Sequence, residues 1–330
     1  MVRESTPLAS VHPWVANGQQ SVRFGIVGGP SGDWPALRDF VQMAEELGFD
    51  SYWRPDHPLL LPDCWTSLAA VAAVTHRLRL GSLVSCVYYR NPVLLARIVA
   101  DVDRISQGRV MLGLGAGDSE GEFLAMGLTF PPIGARQSAL AEALPVVSRL
   151  LRGETVTYRG AHYQVAGATL PSPPVQQPYV PLLIGGGGER TTLRYVAEYA
   201  DASSLGVGAW GGGAATDADV RRKYQALQDH CAAVGRSYAA VLRTFHFVPV
   251  LLADSPAALA AKRERVPQNL LALAGAAALI GTPEQAIERL QPLVAAGCQY
   301  FTLAVLDPDT LRLLAERVVP AVAGSASITL

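Results

Sequence analysis

The chain has 330 residues, half of them hydrophobic, with 27 basic and 28 acidic residues and a net charge of −1 at pH 7. With a mean hydropathy of +0.22 it has ample material for a large core. Near-neutrality without long charge blocks excludes an electrostatic nucleic-acid surface and a polybasic membrane anchor.

Residues 1–21 are expected to form an N-terminal tail that packs on the body or covers a neighbour, and residues 22–330 a single barrel domain. Residues 1–20 hold no apolar stretch of signal-peptide length, and no later apolar run reaches about 18 residues. Cys64, Cys86, Cys231 and Cys298 are widely spaced, with no CxxC and no His-rich metal pattern. Buried thiols in a reducing cytoplasm are the expectation, without a metal site and without a membrane segment.

From Val22 onward short strands and amphipathic helices alternate. Strands are predicted over Val22–Val27, Ser51–Arg54, Leu78–Val84, Arg109–Leu114, Pro181–Ile184, Ala202–Leu205, Arg243–Leu252 and Tyr300–Ala304. Helices are predicted over Pro35–Leu47, Trp65–Thr75, Pro92–Ser106, Ala135–Leu151, Glu189–Tyr199, Asp217–Val234, Pro283–Ala296 and Asp309–Val318. Pro35 and Pro283 stand near helix starts and Gly48, Gly108, Gly235 and Gly297 just past helix ends, as capping chemistry favours. Eight alternations predict an α/β fold, a (β/α)8 TIM barrel with insertions. One insertion, ETVTYRGAHYQV, alternates like a hairpin about Arg159 and Gly160 and precedes strand five; the proline-rich LPSPPVQQP follows it. Another irregular stretch, 206–215, is expected at the open mouth.

Barrel active sites lie at the C-terminal ends of strands, and the unusual residues fall there. Asp56-His57 follows the second strand and joins a carboxylate to the side chain best suited to moving protons near neutral pH, although helix capping or packing would also suit His57. Ser85-Cys86-Val87 follows the third. Asp118, Glu120 and Glu122 follow the strand-four glycines, where an acid could exchange a substrate proton or simply sit in the first turn of a helix. Tyr88-Tyr89 could wall a ring, and Asn91 could be a helix N-cap. His12, His76, His162, His230 and His246 read as structural, though His246 could point into the barrel.

The strongest single feature is the run Gly185-Gly186-Gly187-Gly188 after strand five, leading through Glu189, Arg190 and Thr191 into a helix. Glycines let a ligand approach the backbone, and a helix start attracts anions, so phosphate is the expected guest; a ligand-free turn is the alternative. With no metal constellation and no G-x-S-x-G elbow, a bound organic cofactor is expected to carry the reaction.

Three stretches, AEELGFDSYWRPDH (44–57), LRLGSLVSCVYYRNPVLLARIVADVDRISQGRVMLGLGAGDSEGEFLAMGL (78–128) and VPLLIGGGGERTTLRYVAEYADASSL (180–205), together closely resemble the bacterial luciferase-like flavin and deazaflavin oxidoreductases. The resemblance runs from Phe24 to about Pro320. It implies a phosphate of coenzyme F420 or FMN held from Gly185 to Thr191, and a non-prolyl cis peptide at the Cys86-Val87 bulge behind the cofactor ring. RNPVLLA, GGGGERTTLR and EYADASSL look more like the F420-dependent branch. That branch implies hydride transfer to or from a small organic substrate, with Asp56 and His57 at the cofactor and an acid at Asp118, where sugar-phosphate dehydrogenases of the branch carry Glu. The alternatives are an FMN-dependent monooxygenase, served by a partner flavin reductase, and a flavin-binding barrel without chemistry. A homodimer is implied as well.

Overall fold

The computed structural model describes residues 11–30, 33–208 and 212–324. Residues 1–10 of the expected tail and 209–211 of the expected mouth loop lie outside the described residues. The remainder of the tail packs on the body, beginning with helix α1 (Pro13–Gly18). His12 caps α1: its Nδ1 accepts from the Trp14 amide at 3.1 Å and its Nε2 donates to the Tyr179 carbonyl at 3.0 Å. Burial pushes this imidazole down to about 4, so it is neutral at pH 7, as that pair of bonds requires.

The chain then alternates through β1 (Arg23–Gly28), α2 (Trp34–Glu46), β2 (Ser51–Arg54), α3 (Cys64–Val74), β3 (Arg79–Ser82), β4 (Ser85–Cys86), α4 (Pro92–Ile105), β5 (Val110–Gly115), α5 (Glu120–Ala125) and α6 (Ile133–Leu151). A hairpin, β6 (Val156–Arg159) and β7 (Gln164–Ala168), fills the insertion ahead of strand five. The barrel resumes with β8 (Leu182–Gly185), α7 (Thr192–Tyr199), β9 (Ala202–Gly206), α8 (Asp217–Ala233) and β10 (Leu242–Leu252). It ends with α9 (Pro256–Glu264), α10 (Gln268–Ala274), β11 (Leu279–Gly281), α11 (Pro283–Ala295), β12 (Tyr300–Val305), α12 (Pro308–Leu313) and α13 (Val319–Ala323).

All barrel pairings are parallel, in the order β10-β12-β1-β2-β3-β5-β8-β9, and β9 pairs back to β10, so the sheet closes as a (β/α)8 barrel. Alternate residues therefore face inward or toward the helices. Phe24, Ile26, Tyr52, Leu80, Leu112 and Ile184 face the helical shell, while Val27, Trp53, Met111, Leu183, Ala202, Leu242 and Tyr300 fill the interior. Trp14 of α1 enters from below, 6.2 Å from the Trp53 ring and 5.9 Å from the Tyr300 ring between centroids. The amino end of the barrel is thereby sealed by a tryptophan from the chain's own start.

The third barrel strand, expected as one run over 78–84, is broken. Gly81 pairs with Met111 and Ser85 with Leu114, four residues on one side against three on the other, so one surplus residue bulges out between β3 and β4. Ser82 takes over the lost ladder contact: its Oγ donates to the Gly113 carbonyl at 2.9 Å and faces the Gly113 amide at 3.1 Å. A non-prolyl cis peptide is present in this bulge, at Leu83–Val84 and not at the expected Cys86–Val87. The register explains the offset, since Cys86 has already rejoined the ladder opposite Gly115.

Candidate active site

Site residues predicted from sequence gather at the carboxyl ends of β2, β4, β5 and β8. At the end of β2, Asp56 is enclosed, its side chain 1% exposed. Its Oδ2 accepts from Arg90 at 2.7 Å and from the Cys86 amide at 3.3 Å. Burial raises its carboxyl pKa against the opposing pull of Arg90. Arg90 also reaches Asp63, the N-cap of α3, at 2.6 Å, so one guanidinium ties the loop after β4 to the start of α3. Asp56 Oδ1 is buried and engages nothing among the described residues. A buried acceptor left unpaired costs about 1–3 kcal/mol, so this oxygen is available to a donor from a ligand.

His57 and Glu122, 65 residues apart, form a pair, Nδ1 to Oε2, at 2.6 Å. The other carboxylate oxygen of Glu122 accepts from the Leu59 amide at 3.2 Å. With Nδ1 facing the carboxylate, Nε2 has no hydrogen-bond partner among the described residues. The His57 side chain is 34% exposed and that of Glu122 4%. Glu122 thus stands behind His57, with both oxygens engaged. Asp118 is exposed at the rim, and Glu120 is also exposed.

The loop after β4 lies beside Asp56. Trp65 Nε1 donates to Ser85 Oγ at 3.0 Å, and the Val87 amide donates to the Gly115 carbonyl at 3.1 Å. Asn91 caps α4 by accepting from Val93 at 2.9 Å. Cys86 is buried, and burial pushes its thiol up to about 12, which removes it as a nucleophile. Tyr88 and Tyr89 pack on Phe123 at 5.5 and 5.3 Å, so part of each ring is committed to holding α5. Val84 lies over Gly113, Gly115 and Gly185: a Cβ on Gly115 would come within 2.5 Å of it, and one on Gly185 within 3.1 Å. These three glycines leave room for the Val84 side chain.

Beyond β8 the glycine run does not lead straight into a helix. Glu189 and Arg190 form a turn and α7 begins at Thr192, three residues after the expected start. Groups on α8 hold this turn open: Arg222 Nε meets the Glu189 carboxylate at 3.0 Å, His230 Nε2 meets its carbonyl at 2.7 Å, and Lys223 Nζ donates to the Gly187 carbonyl at 2.8 Å. Gly186 has φ +107°, a conformation that suits glycine. Among the described residues no acceptor engages the amides of Gly188, Glu189 or Arg190. Free amides ahead of a helix are what a phosphate requires.

A family model for luciferase-like monooxygenases matches residues 11–276. The chain belongs to that family. A relative named F420-dependent glucose-6-phosphate dehydrogenase, from Microbacterium testaceum, is 36% identical over 164 residues, 47% of this chain and 48% of that protein. The match thus spans about half the length of that relative. An uncharacterised protein of Mycobacterium tuberculosis is 30% identical over 219 residues, 59% of this chain and 73% of that protein. Among solved structures, the coenzyme F420-dependent tetrahydromethanopterin reductase of Methanopyrus kandleri superposes with a TM-score of 0.75 at 21% identity, covering 91% of this chain and 99% of that one. That likeness shows the fold.

Several residues of this luciferase-like site carry no sign of their role in sequence. Arg90 stands unremarkably within YYRN, yet it holds Asp56. Trp65 and Lys223 occupy ordinary helix positions, yet they hold Ser85 and Gly187. Arg136 of α6 donates to the carbonyls of Gly117 and Pro131 and lies 4.1 Å over the Phe130 ring, anchoring the loop that bears Asp118. A basic residue just inside a helix gives no local sign of such a role.

Proposed function

We propose that this chain is an F420-dependent oxidoreductase acting on a small organic substrate. The observation that carries the reading is the His57–Glu122 pair beside Asp56, set across the mouth from a glycine run with free amides. The Asp56 Oδ1 without a partner among the described residues, Val84 packed over three glycines and the amides at 188–190 fit a ring bearing a phosphate. The choice of F420 is supported by the relatives named F420-dependent glucose-6-phosphate dehydrogenase, at 36% and 37% identity.

In this reading the bound deazaflavin supplies a carbon that accepts or donates hydride. Asp56 Oδ1 would accept a hydrogen bond from the cofactor, residues 85–87 would lie behind it, and the stretch from Gly185 to Thr191 would hold its phosphate. His57 Nε2 takes up or returns the substrate proton. Glu122 keeps that imidazole in one tautomer and offsets the charge it gains on protonation. Asp118 stands at the rim, where it meets substrate.

A second reading, an FMN-dependent monooxygenase supplied by a flavin reductase, is favoured by the description of the matching family. Titration of the purified protein with each cofactor decides between them. Saturable micromolar binding of F420 is expected, with weaker binding of FMN. Micromolar FMN binding without F420 binding would overturn the F420 reading, and binding of either without turnover of any hydride donor or acceptor would favour a flavin-binding protein.

We also infer a cytoplasmic homodimer. Four buried free thiols suit a reducing compartment, no helix among the described residues is long and apolar enough to cross a membrane, and the family resemblance supports the dimer. Sedimentation should show one species of twice the chain mass; a monomer across micromolar concentrations would refute it.

A further inference from the structure

The β6–β7 hairpin interrupts the barrel before strand five, and the wall-forming loop 85–91 lies against its turn. The turn is organised by one carboxylate on α6. Glu142 accepts from the amides of Ala161 at 2.8 Å, His162 at 2.9 Å and Tyr163 at 3.1 Å, and the turn closes through Gly160 N to Tyr163 O at 2.9 Å. Bonds to an ionised acceptor are about twice as strong as neutral ones, so three on one carboxylate define the turn's shape. Gly160 makes this possible, because a Cβ there would overlap the Glu142 carboxylate.

From this turn the Tyr163 hydroxyl donates to the Val87 carbonyl at 2.8 Å. Burial raises the phenol's pKa, so it stays a donor at any working pH. The Val87 amide is already fixed to Gly115 of β5. The residue is therefore held at both ends, by the barrel through its N–H and by the hairpin through its carbonyl.

A cavity of about 200 Å³, lined in part by Arg90, Asn91 and His162, lies between the turn and the loop. The Tyr163–Val87 hydrogen bond bridges the two beside this space. The same loop presents the Cys86 amide and Arg90 to Asp56. A shift of the Val87 peptide is passed to both.

We propose that the β6–β7 hairpin is a positioning strut for the cofactor wall, in which Glu142 shapes the turn and Tyr163 pins Val87, so that Asp56 and its partners are held ready for the cofactor. This rests on the reading of the mouth as a deazaflavin or flavin site. Glu142 and Tyr163 are positioning residues acting through Val87.

The test compares the full-length protein with Tyr163→Phe, Glu142→Gln and Gly160→Ala, three different chemical changes to one linkage. In the cofactor-free proteins, amide hydrogen exchange over residues 85–91 should quicken roughly tenfold, the scale of one net hydrogen bond, while exchange in α1 and β12 stays as in wild type. The dissociation constant for F420 should rise by a similar factor, with turnover at saturating cofactor unchanged. Wild-type exchange and affinity in Tyr163→Phe and Gly160→Ala would overturn the proposal, as would an equal quickening in α1 and β12. Should Tyr163→Phe fail to fold, the Glu142→Gln comparison decides. If wild type binds neither F420 nor FMN, the cofactor reading fails on its own, and the exchange data on cofactor-free protein still judge the strut.

Discussion

His57→Ala is expected to lower turnover by roughly 10²- to 10⁴-fold while leaving cofactor affinity within a few-fold of wild type. The imidazole is partly exposed, one of its nitrogens is fixed by a carboxylate at 2.6 Å, and the other engages nothing among the described residues. Alanine removes the proton carrier and leaves Asp56, Arg90 and the glycine run in place. Glu122→Gln should show a smaller loss of about tenfold, because an amide oxygen can still accept from Nδ1 but no longer offsets the imidazolium charge. Steady-state rates paired with cofactor titrations separate the two effects. Turnover unchanged in His57→Ala would remove this residue from the mechanism, and loss of cofactor binding in that variant would make it a ligand of the cofactor instead.

Trp53→Ala should cost about 3–5 kcal/mol of unfolding free energy, the range for deleting a buried tryptophan. Its indole is fully buried within the barrel, over Gly25 and Gly81, where a Cβ on either would overlap the ring. Neighbouring strands have no side chain at these positions with which to refill the space. Trp14 cannot follow inward either, since α1 is pinned by His12 to Tyr179 and by the Trp14 carbonyl to Arg23 at 2.6 Å. The cavity would remain open. Denaturant unfolding followed by circular dichroism measures the loss; a change below about 1 kcal/mol would mean that the floor collapses around the gap.

Which parts of this architecture could be read in advance depended on whether the information was local. Strands such as Ser51–Arg54 and the hairpin about Arg159-Gly160 carry their own signals, in β-branched or aromatic runs bounded by turn residues, and both stand where expected. Asn91 as an N-cap is equally local. The bulge at 83–84 is not, because a one-residue surplus exists only in the pairing of two strands. Helices α9 and α10 lie in an alanine-rich stretch where α9 buries nothing, so no periodic apolar face announced them.

The site divides in the same way. Asp56, His57 and the glycine run are visible as odd residues at strand ends. Glu122 reads as an ordinary acid in a first helical turn until folding brings it to His57. Arg90 and Trp65 are invisible in their own segments, because their partners lie 34 and 20 residues away. Helix α7 starts late for a comparable reason: the groups that hold Glu189 back in a turn come from α8.

At Gly187 the glycine run after β8 meets the loop after β9 backbone to backbone. A Cβ on Gly187 would stand 3.1 Å from Gly212 Cα, and one on Gly212, which has φ +97°, would overlap the Gly187 amide nitrogen. Mouth loops are where barrels of this kind diversify, yet here one loop shares a glycine-on-glycine seam with the most constrained part of the site. A side chain at position 212 is therefore excluded by the glycine run after β8, and any change there acts on both segments at once.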